Sequence, residues 1–373
     1  MKKREKESRN RKEFLQRQAL KKHLRKVRWR NRRREERKNK CIENARKNLH
    51  VRKKRRHVYE QKRYRYYIRR NAPVNFSIIG NHEQVIAFCN DLKNDYYKSH
   101  KVFVNMERVT SVSNESLGLL VSHMMLFQQR RIKYDGNFPL DEKSRAIVIK
   151  SGFLEHLYLN SRKSSVNRIN SSIYTHAAKE SNAELVGVLI ESSSKFLWNK
   201  YYNYGGVYNA LVELMLNTYE HGNEIEGKQK WWVTVTKDEE SQKVTFSFLD
   251  YGRGIINTLR NTQHKRYHGV IKKLLTKIGS ITNKDAMLLK EVVEGALVLS
   301  EKGEPQYGNG LHSIYTDMRD NLLDNVIIIT NNVYADLKNG NYQMMSVHFY
   351  GTFISWEINK NTVYEDICCD AIH

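Results

Sequence analysis

The chain has 373 residues, with 65 Lys/Arg against 40 Asp/Glu and only three prolines. That length supports two or three domains with a sizeable core. No apolar run reaches the roughly 20 residues that cross a bilayer, and no signal-like apolar segment follows the basic start, so a membrane-spanning or secreted protein is excluded and a cytoplasmic one expected. The four cysteines (Cys41, Cys89, Cys368, Cys369) show neither CxxC nor metal-ligand spacing, which fits a reducing compartment and excludes a zinc module.

The charge is not spread evenly. Residues 1–72 hold 32 of the Lys/Arg and 7 of the Asp/Glu, and the rest of the chain carries 33 of each, so the formal net charge of +25 belongs to an N-terminal arm. The arm is almost free of Gly and Pro and rich in helix formers. Leu20, Leu24 and Val27 recur at helical spacing with Trp29 beyond, but this apolar face is too thin to make a core. A helical arm that orders on meeting an anion is expected. Its second half interleaves Tyr59, Tyr64, Tyr66 and Tyr67 with arginines. Cations suit nucleic-acid phosphates, and aromatics among them suit unpaired bases, which favours RNA or single-stranded DNA. A localisation signal, or a grip on an acidic protein or an anionic lipid, would use the same charges.

Residues 73–160 alternate short strand and helix patterns: a strand over Val74–Ile79, a helix over His82–Tyr97, a strand over Val102–Met106, a helix over Glu115–Phe127 capped by Ser113 or Asn114, and a third strand over Ala146–Ile149. A small α/β domain follows. The strand KVFVNMERV, a turn and the helix opening SNESLGLLVSHMM resemble the STAS domain of bacterial anti-sigma-factor antagonists. The resemblance implies a protein-partner domain, and it puts Ser116 where that family carries a phosphorylatable serine. Glu115 stands in place of the usual Asp, and Leu117 in place of a second small hydroxyl residue, which weighs against that role.

Residues 161–183, with SRKSSVNRINSS, read as a polar connector. From 184 to 360 the patterns return: a helix over Glu184–Leu197, a break at Tyr204-Gly205-Gly206, and a helix over Tyr208–Gly222. On the latter, Glu213, Asn217 and His221 lie at i, i+4 and i+8, a polar stripe on a helix otherwise covered by Ala210, Leu211, Leu214, Met215 and Thr218. Polar groups on such a helix call for a metal or a polar ligand, or for neighbouring backbone to cap. A hairpin follows, Trp231–Thr236 and Lys243–Leu249, and its second strand ends in Asp250-Tyr251-Gly252-Arg253-Gly254. A carboxylate there can accept from an exocyclic amine while the glycines let backbone close on a ring. Tyr307-Gly308-Asn309-Gly310-Leu311 then opens a helix, where backbone N–H groups can cradle phosphates. Between the two glycine motifs lie 53 residues, Ile255 through Tyr307, with helical patterns at Gly269–Ile278 and Lys284–Leu299 and a mobile-looking SEKGEP. They read as a lid. Residues 361–373 are a tail.

Taken in order, ExxxN on a helix, DxGxG after a strand and GxGL before a helix resemble the N, G1 and G2 boxes of the GHKL ATPases, with ELMLNTYEHGN closest to the anti-sigma-factor kinase branch. Phe349–Ile354 is similar to that fold's closing strand. The resemblance covers 184–358, nearly half the chain. It implies an α+β chain: a GHKL (Bergerat) α/β sandwich preceded by the STAS-like domain and the basic arm, with ATP and Mg²⁺ as cofactors. Asn217 would hold the magnesium, Glu213 would activate a water or hydroxyl, and Asp250 would read the adenine amine beside Gly252 and Gly254. Gly308 and Gly310 would wrap the phosphates, His221 would approach them or pack at the helix end, Arg253 and Lys302 would add cations, and Thr352 would buttress the adenine pocket. A homodimer is a frequent form of the family. The expected function is an ATPase or serine kinase of the anti-sigma-factor type; the alternative is a nucleotide-gated nucleic-acid binder with little hydrolysis.

Overall fold

A computed structural model of the chain describes residues 66–153, 173–178, 182–200, 202, 204–221, 231–261, 265–278, 283–295 and 309–362, with residue 64 and a few positions between 32 and 40; at 173–178, 219–221, 265–270 and 309 only the backbone is described. The chain divides into two units, Met1–Arg65 and Tyr66–His373. In the first, the described residues between 32 and 40 are helical and exposed.

The second unit begins with a parallel sheet of three strands in the order β1–β3–β5, where β1 is Ile68–Asn71, β3 Val102–Asn105 and β5 Tyr134–Gly136; a small parallel pair joins β2, Asn75–Phe76, to β4, Ser111–Val112. The opening strand lies inside the stretch expected to be arm, and only two of the six residues Val74–Ile79 are extended. The reason is tertiary. Arg70 bonds the buried Asp95 carboxylate at 2.6 and 3.1 Å and reaches Asp91 at 3.1 Å. Desolvation would raise Asp95, but Arg70 and His100 together hold its pKa below the usual value.

Helix α1 covers His82–Tyr97, as its spacing predicts, with Val85, Ile86, Phe88, Cys89 and Leu92 buried. Helix α2, Asn114–Gln129, is capped by Ser113, whose hydroxyl accepts from the Ser116 amide. The expected strand at Ala146–Ile149 is instead part of helix α3, Glu142–Lys150. A four-residue apolar run does not distinguish strand from helix; here Asp141 caps the helix by accepting from Ser144 N at 2.7 Å, and Ser144 and Val148 turn inward one helical turn apart.

Among the described residues the larger sheet has five antiparallel strands in the order β6–β7–β8–β10–β9: Ile173–Ala178, Trp231–Asp238, Lys243–Asp250, Asn341–Asn359 and Asp324–Asp336. The edge strand β6 falls within the expected connector. Its pairing with Trp231–Thr236 supplies an order that its own composition does not announce. Among the described residues six helices accompany the sheet: α4 (Ala183–Trp198), α5 (Gly205–His221), α6 (Ile255–Asn261), α7 (Lys265–Ile278), α8 (Lys284–Val293) and α9 (Asn309–Arg319). The Gly205-Gly206 pair starts α5 rather than breaking the chain before it. Gly206 is buried, and a Cβ there would stand 3.3 Å from the Asp317 carboxylate of α9.

Period-two alternation gives the sheet two buried faces. Trp231, Val233, Val235, Phe246, Phe248, Ile354 and Trp356 share one core with α4, α5 and α8. Trp232, Leu249, Ile327, Ile329 and Phe353 share the second core with α1 and α2. On that second face α2 lies flush against β7, because a Cβ at Gly118 would meet Thr234 Oγ1 at 2.5 Å. The fold is mixed α/β. No helix among the described residues is long and apolar enough to cross a membrane.

Candidate functional site

Helix α5 buries Ala210, Leu211, Leu214 and Met215 against the sheet, which leaves Glu213 and Asn217 half-buried on another side. Neither has a hydrogen bond or ion pair to another described residue. What faces them is the start of α9. A Cβ on the buried Gly310 would come within 3.0 Å of Glu213 Cβ, 3.4 Å of Asn217 Nδ2 and 3.4 Å of Glu213 Oε2. Glycine is what allows this approach, so Gly310 and the ExxxN pair, nearly a hundred residues apart in sequence, meet side by side.

The second group forms where β8 ends. Asp250 pairs across the sheet with Thr352 of β10 on one side and Trp231 of β7 on the other. Its parity with Phe246 and Phe248, and that of Thr352 with Ile354 and Trp356, puts both side chains on the face that carries α5. Asp250 Oδ1 accepts from Gly252 N at 2.6 Å, and Thr352 donates to the same carboxyl. Asp250 keeps some accessible surface, yet desolvation by the atoms packed around it dominates and pushes its pKa up to about 6, against these donors. A carboxylate held at such a cost at a strand end, in a glycine loop, makes Asp250 a candidate for binding a ligand.

The loop is built tightly. Gly254 has φ +78, and a Cβ there would meet the Asn331 amide at 2.6 Å. Asn331, buried in β9 with φ +53, accepts from Ile256 N at 3.0 Å and Asn257 N at 3.3 Å, and donates to the Arg253 carbonyl at 2.9 Å. Thr330 Oγ1 accepts from Ile255 N at 2.9 Å and stands 3.1 Å from the Gly351 carbonyl. The first turn of α6 is thus capped by a neighbouring strand. Sequence reasoning missed both residues. The one signal was a polar Thr-Asn-Asn interrupting the apolar run VIII of that strand.

Two groups of expected residues are therefore assembled: Glu213, Asn217 and Gly310 between α5 and α9, and Asp250, Gly252, Gly254 and Thr352 where the end of β8 and the loop after it meet the middle of β10. Arg253 is exposed. His221 ends α5, but its side chain lies outside the described residues, as do Gly308, Lys302 and SEKGEP. Ser116 is fully buried; its Oγ accepts from Ile78 N at 2.7 Å and lies 3.1 Å from Ser113 Oγ. Among the described residues no cluster of three or more His, Cys, Asp or Glu could hold a metal ion. No protein-family model matches the chain, nor does any curated protein or solved structure.

Proposed function

We propose that the chain binds ATP in the manner of the GHKL ATPases and hydrolyses it or transfers its γ-phosphoryl group. The observation that carries this reading is the close approach of Gly310 to Glu213 and Asn217, on the same side of the sheet as Asp250 and Thr352. An ionised Asp250 would accept from the adenine amine, with Thr352 holding the carboxyl in place. Glu213, free of other described partners, would take the proton from the attacking oxygen. The amide oxygen of Asn217 would suit a hard cation such as Mg²⁺, which binds through one or two protein oxygens when phosphates and waters complete its shell. The ion would supply charge neutralisation along the phosphates.

Glu213→Ala should leave ATP affinity within about twofold and lower turnover by about 100-fold or more. Equilibrium nucleotide binding and single-turnover phosphate release measure the two effects. Turnover that survives the substitution removes Glu213 from the chemistry.

Burial of Ser116 and the bond it accepts from Ile78 favour water or a separate protein over this serine as acceptor. The STAS-like segment is then part of the ATP-binding body rather than its in-cis substrate.

The arm supports the second activity, binding of RNA or single-stranded DNA. A deletion should stop at residue 65, because one to 72 would remove β1. The 66–373 chain should lose about 100-fold or more in affinity for a single-stranded oligonucleotide at low salt, and the intact chain should weaken steeply as salt rises. Equal binding by both chains, in a filter or anisotropy titration, would remove nucleic acid as the arm's partner. ATP turnover stimulated by the oligonucleotide favours the nucleotide-gated reading.

A further inference from the structure

Tyr251 stands between the two positions of the loop assigned to the ligand, Asp250 and Gly252, but points the other way. Alternation along β8 sends it to the second face of the sheet, where its ring lies edge-on to Trp232 at 5.2 Å and to His123 at 5.1 Å. There its hydroxyl enters a closed set of bonds on α2. Ser122 Oγ donates to the Leu119 carbonyl at 2.7 Å, so its lone pair is left for the Tyr251 O–H, also at 2.7 Å. The Tyr251 oxygen in turn lies 2.8 Å from His123 Nδ1, which is 2.9 Å from the same Leu119 carbonyl. Ser122 and His123 are buried, and burial holds His123 neutral, at about 4. The helix packs closely here, since a Cβ at Gly118, one turn earlier, would stand 2.5 Å from Thr234 Oγ1 of the neighbouring strand.

We infer that Tyr251 is a positioning residue that ties the Asp250–Gly254 loop to α2, so that nucleotide at Asp250 and the packing of α2 are energetically coupled. The inference rests on the ATP-binding reading. The physical reason is geometric: a half-buried ring packed on the second core, its hydroxyl held by Ser122 and His123, sets the backbone at 251, and the backbone at 251 sets where the Asp250 carboxyl stands. A ligand that tightens the loop then tightens α2, and by reciprocity a loosened α2 weakens the ligand by the same factor. The STAS-like segment would read the nucleotide state through this contact.

The test uses the full chain with ATP and magnesium. Amide hydrogen exchange over residues 116–127 should slow when ATP is added. Tyr251→Phe, which keeps the ring, should weaken ATP by about fivefold, the scale of one buried hydrogen bond, and should abolish that slowing. Ser122→Ala, made from the helix side, removes the shared bond and leaves the His123 contact, so it should act in the same direction by a smaller factor, and the double variant should be no worse than Tyr251→Phe, which already lacks that bond. A merely structural role would lower the melting temperature and leave the ATP-dependent difference in exchange intact. Wild-type binding without a change in α2 exchange overturns the coupling alone; so do additive effects of the two variants. No ATP binding by the wild type overturns the coupling and the ATP-binding reading together.

Discussion

Asp250→Asn is expected to weaken ATP binding by about 10- to 100-fold, the scale of a hydrogen bond to a charged group, while making the ligand-free protein more stable at pH 8. The two effects have one origin. Desolvation raises the carboxyl from an ordinary 3.8 to about 6. A raised carboxyl contributes stability that is complete below about 3.8 and is lost as pH rises through 6, so at pH 8 the fold carries the whole cost of a buried negative charge. At about 1.4 kcal/mol per pKa unit that cost, already net of the bonds that Gly252 and Thr352 make to the carboxylate, is on the order of 3 kcal/mol, and an amide of the same size keeps part of it as imperfect packing and bonding. A net gain of about 1–2 kcal/mol at pH 8, vanishing towards pH 4, is what thermal unfolding across that range should read. The wild type's own ATP affinity should fall as pH drops below 6, since a protonated acid donates where the adenine amine needs an acceptor. A variant that binds ATP like the wild type would take Asp250 out of the site. One that is less stable at pH 8 would refute the electrostatic account.

Gly351→Ala should be the most damaging single methyl in the sheet. Between Phe349 and Thr352 the register of β10 against β9 slips, and Gly351 takes φ +131 in the irregularity. A Cβ there would sit inside the Asp250 carbonyl oxygen and against the Tyr251 backbone. The strand cannot yield without moving Thr352 from its place opposite Asp250. Backbone strain and displacement of a core strand together predict a loss of about 3–5 kcal/mol, with ATP binding lost alongside. Gly340→Ala is the control. That turn glycine has φ +62 but nothing within 4 Å of a Cβ, so strain alone operates and about 1 kcal/mol is expected. Chemical denaturation of both variants separates the two cases, and equal losses would show that the close approach at 351 does not matter.

Much of the site was legible because its parts are local. Helix α1 runs from His82 to Tyr97 as its apolar spacing requires, and Ser113, one of the two candidate caps, caps α2. Asp250 is the last residue of a hairpin strand whose alternation is visible in VTFSF. Illegible parts owe their state to residues far away. Ile68–Asn71 looks like more of the basic arm until Asp91 and Asp95 neutralise Arg70. Strand β6 follows a Ser/Asn-rich stretch that reads as connector, and it becomes a strand by pairing with β7. Thr330 and Asn331 mean nothing in their own strand; they cap a helix that begins 75 residues earlier in the chain.

By itself the sequence determined the periodic elements, the separation of a +25 arm from a neutral body, and the residue types of the candidate pocket, because helical and strand periods, caps and glycine turns act over a few residues. Only the tertiary structure decided that Gly310 closes on Glu213 and Asn217, that the bulge at Gly351 seats Thr352 beside Asp250, and that the second face of the sheet is covered by α1 and α2. Those outcomes depend on van der Waals approach and strand pairing between segments up to a few hundred residues apart, and no local pattern records them.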